Sequence, residues 1–168
     1  MPNVKPSEVG WLNRAAEYYL AARVLYDNAL IGPAAFCGYH ATELMVKRAL
    51  VHHDRSFSPR DSGHALAKMV RMVNNTVRPK PALRVPAYFY NQQRLSTVTR
   101  YPRHGVGVLI PFSYIDDLDK VFTALARMVP IPRNTQLARA ILVPTSQRGR
   151  MLGSDNDCLE QLRACVDA

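Results

Sequence analysis

An all-α fold follows from three features of this sequence. Twelve prolines divide it and leave four long proline-free stretches, each of those stretches repeats its apolar residues at helical spacing, and no segment alternates apolar with polar residues convincingly enough for a strand. With 168 residues, 48% hydrophobic and 21% charged, the chain has the size of one domain and the composition to bury a core.

The first helix is expected from about Trp11 to Leu30, where Leu12, Ala15, Tyr19, Ala22 and Tyr26 recur three and four apart. Asn13, Arg14, Glu17, Arg23 and Asp27 fall largely elsewhere on it. Gly32 ends this helix, and Pro33 suits the first turn of a second one reaching about Val51. In the second helix Ala34, Phe36, Cys37, Tyr39, Ala41, Leu44, Met45, Ala49 and Leu50 occupy more than half the circumference, which requires several packing neighbours.

Ser62 is expected to cap a third helix with Leu66, Met69, Val70 and Val73 as its core line. A fourth opens at Ser113, with Asp116 three residues on, and carries Ile115, Leu118, Phe122, Leu125 and Val129 inward until Pro130 stops it. Between these two, the prolines of 78–86 exclude regular structure. Residues 87–98 read as a short helix with an aromatic front end, and 105–111 as an extended segment. A bundle domain thus covers 1–130. The remainder, 131–168, is a C-terminal extension with two short apolar runs, which docks, pairs with another subunit or frays.

Lys and Arg number 22 against 13 Asp and Glu, a net charge of +9. The excess is local. Residues 55–104 hold Arg55, Arg60, Lys68, Arg71, Arg78, Lys80, Arg84, Arg94, Arg100 and Arg103 against the single acid Asp61, while the rest of the chain balances to neutrality. Such a segment favours an anionic partner, because arginine grips phosphate bidentately and Tyr88, Phe89, Tyr90 and Tyr101 offer rings on which bases can stack. The competing reading is a solvated loop region whose aromatics fill the core. Docking onto an acidic protein is a third.

Other chemistries lack a foothold. Cys37, Cys158 and Cys165 form no CxxC and no zinc spacing with histidine, so thiols are expected, with no metal and no cofactor. Gly-rich phosphate loops, Ser-His-Asp order and HExxH are missing. No apolar run is long enough to span a bilayer, and the N-terminus lacks a signal-peptide core, so a cytoplasmic protein without membrane association is expected.

On the second helix His40, Glu43 and Lys47 fall along one line, either as a polar pocket inside the bundle or as an exposed or half-buried Glu43–Lys47 ion pair. His64 belongs at the start of the third helix, bonding the preceding loop. His52 and His53 end the second helix, where cationic histidine suits the macrodipole.

Four segments resemble the HEPN family, the higher eukaryotes and prokaryotes nucleotide-binding domain, over roughly residues 12–130. They are AAEYYLAARVLYDNALIGPAAF, GYHATELMVKRALV with Glu43 and Lys47 one turn apart, GHALAKMV with His64, and the TRYP of 99–102. The resemblance implies an up-and-down bundle of four to five helices, commonly a homodimer, that binds RNA or nucleotides. It also implies toxin–antitoxin-like settings and a nucleotidyltransferase-like partner protein, since such genes often work in pairs. Many members are metal-independent RNases with an Arg, four to six residues, then His. Here Arg100 and His104 are separated by three residues. A non-catalytic binding or regulatory module is therefore the expected function, with residues 55–104 as the contact surface and Arg78, Lys80, Arg84, Arg94, Tyr101, Arg103, Glu43, Lys47 and His64 as its binding residues. The rivals are an RNase in which His104 takes a proton and Arg100 stabilises the phosphorane, and a protein-interaction module.

Overall fold

The computed structural model describes residues 6–58, 63–79, 81–90 and 109–167. Seven α-helices run through them: α1 Pro6–Asp27, α2 Ile31–His53, α3 Leu66–Thr76, α4 Tyr114–Met128, α5 Gln136–Leu142, α6 Gln147–Gly153 and α7 Leu159–Arg163. A helical turn at 87–90 adds to these, and no strand is found among the described residues beyond a single parallel bridge between Ile131 and Val166. The expected all-α class is observed, and none of the described helices is long and apolar enough to cross a membrane. Residues 105–108 and 91–98 of the two expected segments lie outside the described residues, and 109–111 carry no regular structure.

α1 and α2 form a helical hairpin whose turn comes earlier than Gly32. Leu30 N donates to Leu25 O at 2.8 Å and Ala29 N to Tyr26 O at 2.9 Å, while Ala29 takes the left-handed conformation with φ 58°. That pair of bonds closes the helix C-terminus without glycine. Gly32 instead lies inside the first turn of α2.

α2 is the central helix, with α1, α3 and α4 packed against it. Phe36, Cys37 and Leu44 are only partly buried, whereas Ala35, Gly38, Thr42, Val46 and Arg48 join the buried set, so the buried face is wider and more polar than the apolar pattern indicates. At Gly38 an added Cβ would lie 2.0 Å from Tyr114 Oη, so glycine permits the α2–α4 approach. The last turns of α2 also satisfy the carbonyls that α4 leaves open. Arg48 donates to Val129 O at 2.9 Å and Pro130 O at 2.7 Å, and His53 Nε2 donates to Met128 O at 2.9 Å.

Two expected caps differ. α3 starts after a glycine turn at Gly63 (φ 54°), with Ala65 at the N-cap position, three residues beyond Ser62, which lies outside the described residues. Ser113 does flank α4, but its hydroxyl donates to Asp117 Oδ2 at 3.1 Å rather than accepting a backbone N–H.

The C-terminal extension docks. Leu137, Ala138, Ala140, Ile141, Leu152 and Leu162 belong to the same core as α1, α2 and α4. Thr135 and Ser146 cap α5 and α6, accepting from Ala138 N at 3.2 Å and Gly149 N at 3.0 Å. All three cysteines are free thiols.

Candidate functional site

Five cations of the basic segment fall among the described residues: Arg55, Lys68, Arg71, Arg78 and Arg84. All five are exposed, and none takes part in an ion pair among the described residues. Lys80, Arg94, Arg100, Tyr101, Arg103 and His104 lie outside the described residues, as does Arg60.

The proline-rich stretch after α3 is held in place without regular structure. Asn74 Oδ1 accepts from Leu83 N at 2.8 Å and Asn74 Nδ2 donates to Leu83 O at 3.0 Å, while Leu83 and Val85 bury their side chains. Arg84, between two inward residues, is left facing outward. Arg78 occupies the left-handed region (φ 50°) just after α3, and its Nε donates to Asn75 O at 3.2 Å, so it also closes the helix end.

This stretch and α4 form the walls of a groove of about 670 Å³. On the α4 side Lys120, Ala124 and Arg127 line it at i, i+4 and i+7; on the other side stand Pro79, Pro81, Leu83 and Arg84. His53 lines it as well. Lys120 and Arg127 carry no counter-ion among the described residues, and Arg127 Nη2 donates to Gln161 Oε1 at 2.8 Å. Lys120 and Arg127 are not among the expected contact residues because they sit outside the charged run, and His53 is expected only as a helix end. Their i, i+7 spacing on one helix was the available signal.

Two of the three acids of α4, Asp117 and Asp119, are engaged away from this surface. Asp119 is 2% exposed and pairs with Arg23, which is 1% exposed. Tyr19 Oη donates to the other Asp119 oxygen at 2.5 Å, and burial, then the Asp119 charge, pushes the Tyr19 phenol well above its ordinary pKa. Arg23 also donates to the carbonyls of Met151 and Ser154. Arg23, expected away from the apolar line, instead lies in the core one turn from Tyr19, because Asp119 is there to pair with it. Asp117 Oδ2 accepts from Tyr88 Oη at 2.5 Å.

The three expected stacking rings among the described residues, Tyr88, Phe89 and Tyr90, are packed or bonded within the fold. Phe89 is fully buried and stacks on Tyr114 with centroids 5.3 Å apart, and Tyr88 is anchored by Asp117. Tyr90 packs half-buried against the core.

Glu43, Lys47 and His64 come together, and the expected Glu43–Lys47 ion pair forms but is buried rather than exposed or half-buried. Glu43 is 2% exposed; its Oε1 accepts from Lys47 Nζ at 2.6 Å and from His64 Nδ1 at 2.9 Å. His40 Nδ1 stands 3.5 Å from Oε2. Burial opposes ionisation of Glu43, but the nearby His40 imidazole, the bond from Lys47 and the positive charges of Lys47 and His64 outweigh it, holding the carboxyl at about 2. Tyr39 Oη donates to His64 O at 2.6 Å, so both ends of His64 are tied to α2. The linkage to a residue 21 positions away leaves no trace in local spacing.

Among the described residues no group of His, Cys, Asp or Glu is arranged to hold a metal ion. No family model matches this chain, and neither a curated protein nor a solved structure matches it.

Proposed function

We propose that this chain is a binding or regulatory module of the HEPN type, a homodimer that takes RNA or nucleotides on its basic side without cleaving them. The observation that carries this reading is the set of uncompensated cations around the groove. Arg84 on one wall and Lys120 and Arg127 on the other have no acid to neutralise them among the described residues, and arginine and lysine in that condition attract phosphate. The all-α architecture agrees with the bundle that the resemblance implies.

Binding of a labelled RNA, followed by fluorescence anisotropy across a salt series, tests the reading. Affinity is expected to fall steeply with salt, and replacing Arg78, Lys80 and Arg84 by Ala is expected to reduce the log–log slope by about 2. Cleavage of the RNA without added metal, lost in His104→Ala, overturns the non-catalytic reading. Absence of binding to RNA and nucleotide alike leaves a protein partner as the occupant of this surface.

A further inference from the structure

We infer that His64 is a phosphoryl-accepting histidine, which takes the group on Nε2 from an acyl phosphate or a phosphoramidate. The site shares no residue with the groove, and the inference stands without the proposed binding of RNA or nucleotides.

The His64 side chain is 66% exposed, yet its Nδ1 lies 2.9 Å from Oε1 of the buried Glu43. An ionised carboxylate accepts and never donates, so this bond puts the ring proton on Nδ1 and leaves the lone pair on Nε2. Lys47 Nζ, 2.6 Å from the same oxygen, keeps the carboxylate charged, and Tyr39 Oη donates to the His64 carbonyl. The ring is thus held at both its side chain and its backbone, with Nδ1 facing inward. Nε2, on the other side of the ring, has no bond among the described residues.

The other described histidines lack this combination. His40 stands among the rings of Tyr18, Phe36 and Tyr39. His53 spends Nε2 on Met128 O. His52 meets the buried Glu8 at 3.2 Å, but its side chain is only 35% exposed and its ring lies against that of His53.

The charge around His64 selects the group it accepts. Lys68 and Arg71 follow on the exposed side of α3, neither with an ion pair among the described residues, so an anionic reactant is favoured here. In the step, the Nε2 lone pair attacks phosphorus and forms a P–N bond. The bond from phosphorus to its leaving atom breaks, and that electron pair departs on a carboxylate oxygen or, from an N-protonated phosphoramidate, on the amine. No proton moves. The ring, now carrying Nδ1–H and a phosphorylated Nε2, gains positive charge, which the Glu43 carboxylate stabilises. Because the P–N bond so formed is itself labile, the donor must hold its phosphorus as loosely, on an acyl oxygen or an amine nitrogen.

The full-length chain is incubated at neutral pH with acetyl phosphate and, in a parallel arm, with phosphoramidate, and the product is located by peptide mass spectrometry and 31P NMR. His64 is expected to be phosphorylated on Nε2 about tenfold faster than His52 or His53. Transfer from one donor alone assigns that donor class, and transfer from both assigns the chemistry they share; each supports the inference. Glu43→Gln keeps an acceptor for Nδ1–H but removes the charge, so the phosphoryl group is expected still on Nε2 while the His64-to-His53 rate ratio falls about tenfold. Glu43 is in this a positioning residue. Replacing Lys68 and Arg71 by Ala, at exposed positions that do not bear on folding, is expected to slow His64 about threefold. No transfer to His64 from either donor, equal rates at His52 or His53, attachment at Nδ1, or wild-type rates in both variants overturns the inference and leaves the reading of the basic surface untouched.

Discussion

His64 Nδ1 donates to Glu43 Oε1 across 2.9 Å, joining a surface residue ahead of α3 to the buried middle of α2. The histidine side chain is 66% exposed and the carboxylate 2%. An exposed loop is thereby fastened to an interior charge, and the same oxygen is shared with Lys47.

The Glu43 carboxyl titrates at about 2 in the folded chain, below its ordinary 4.5, so it adds stability that is fully present above the ordinary value. That stability is lost as pH falls from about 4.5 toward 2. Glu43→Gln removes it. Urea unfolding near neutral pH is expected to show a loss of about 2–4 kcal/mol, because Lys47 is left charged without its partner. The gap between wild type and variant is expected to narrow steadily as the pH of the titration is lowered through that window. A gap that stays constant with pH contradicts the role assigned to this carboxylate.

Gly38 faces Tyr114 so closely that no side chain fits between α2 and α4. Gly38→Ala is expected to cost about 1–3 kcal/mol of stability by overpacking. In a Tyr114→Phe background, where the nearest atom is gone, the same substitution is expected to cost measurably less, since the next contact stands at 3.0 Å. Thermal unfolding of the four proteins in this cycle checks it, and additive costs contradict the contact.

Arg23→Met leaves Asp119 buried and unpaired, and the expected loss is about 3–5 kcal/mol. Because Arg23 also holds the carbonyls of Met151 and Ser154, amide hydrogen exchange is expected to rise over α6 and the residues after it before it rises in α2. Uniform acceleration throughout the chain contradicts a specific tie between α1 and the C-terminal extension.

Local pattern carried much of the architecture. The 3.6-residue period placed Leu12, Ala15, Tyr19 and Ala22 on the buried face of α1 and Leu118, Phe122, Leu125 and Val129 on that of α4, as observed. The prolines of 79–86 excluded a helix there for the same local reason, the missing N–H and fixed φ. Helix ends were less legible. Ala29 does the work expected of Gly32, because a backbone bond pattern drives one residue into the left-handed region at a position where glycine is preferred but not obligatory.

The site divides in the same way. Sequence alone located the charge imbalance in residues 55–104 and aligned His40, Glu43 and Lys47 on one helical line, since net charge and helical register are properties of a chain segment. Tertiary structure decided which charges are spent inside and which face outward. Arg23 and Asp119, 96 positions apart, neutralise one another in the core, whereas Arg84, Lys120 and Arg127 are brought around one groove without a counter-ion among the described residues. Burial makes the difference: an ion withdrawn from water must find its partner wherever the fold places one, and no local spacing encodes a meeting between segments so far apart.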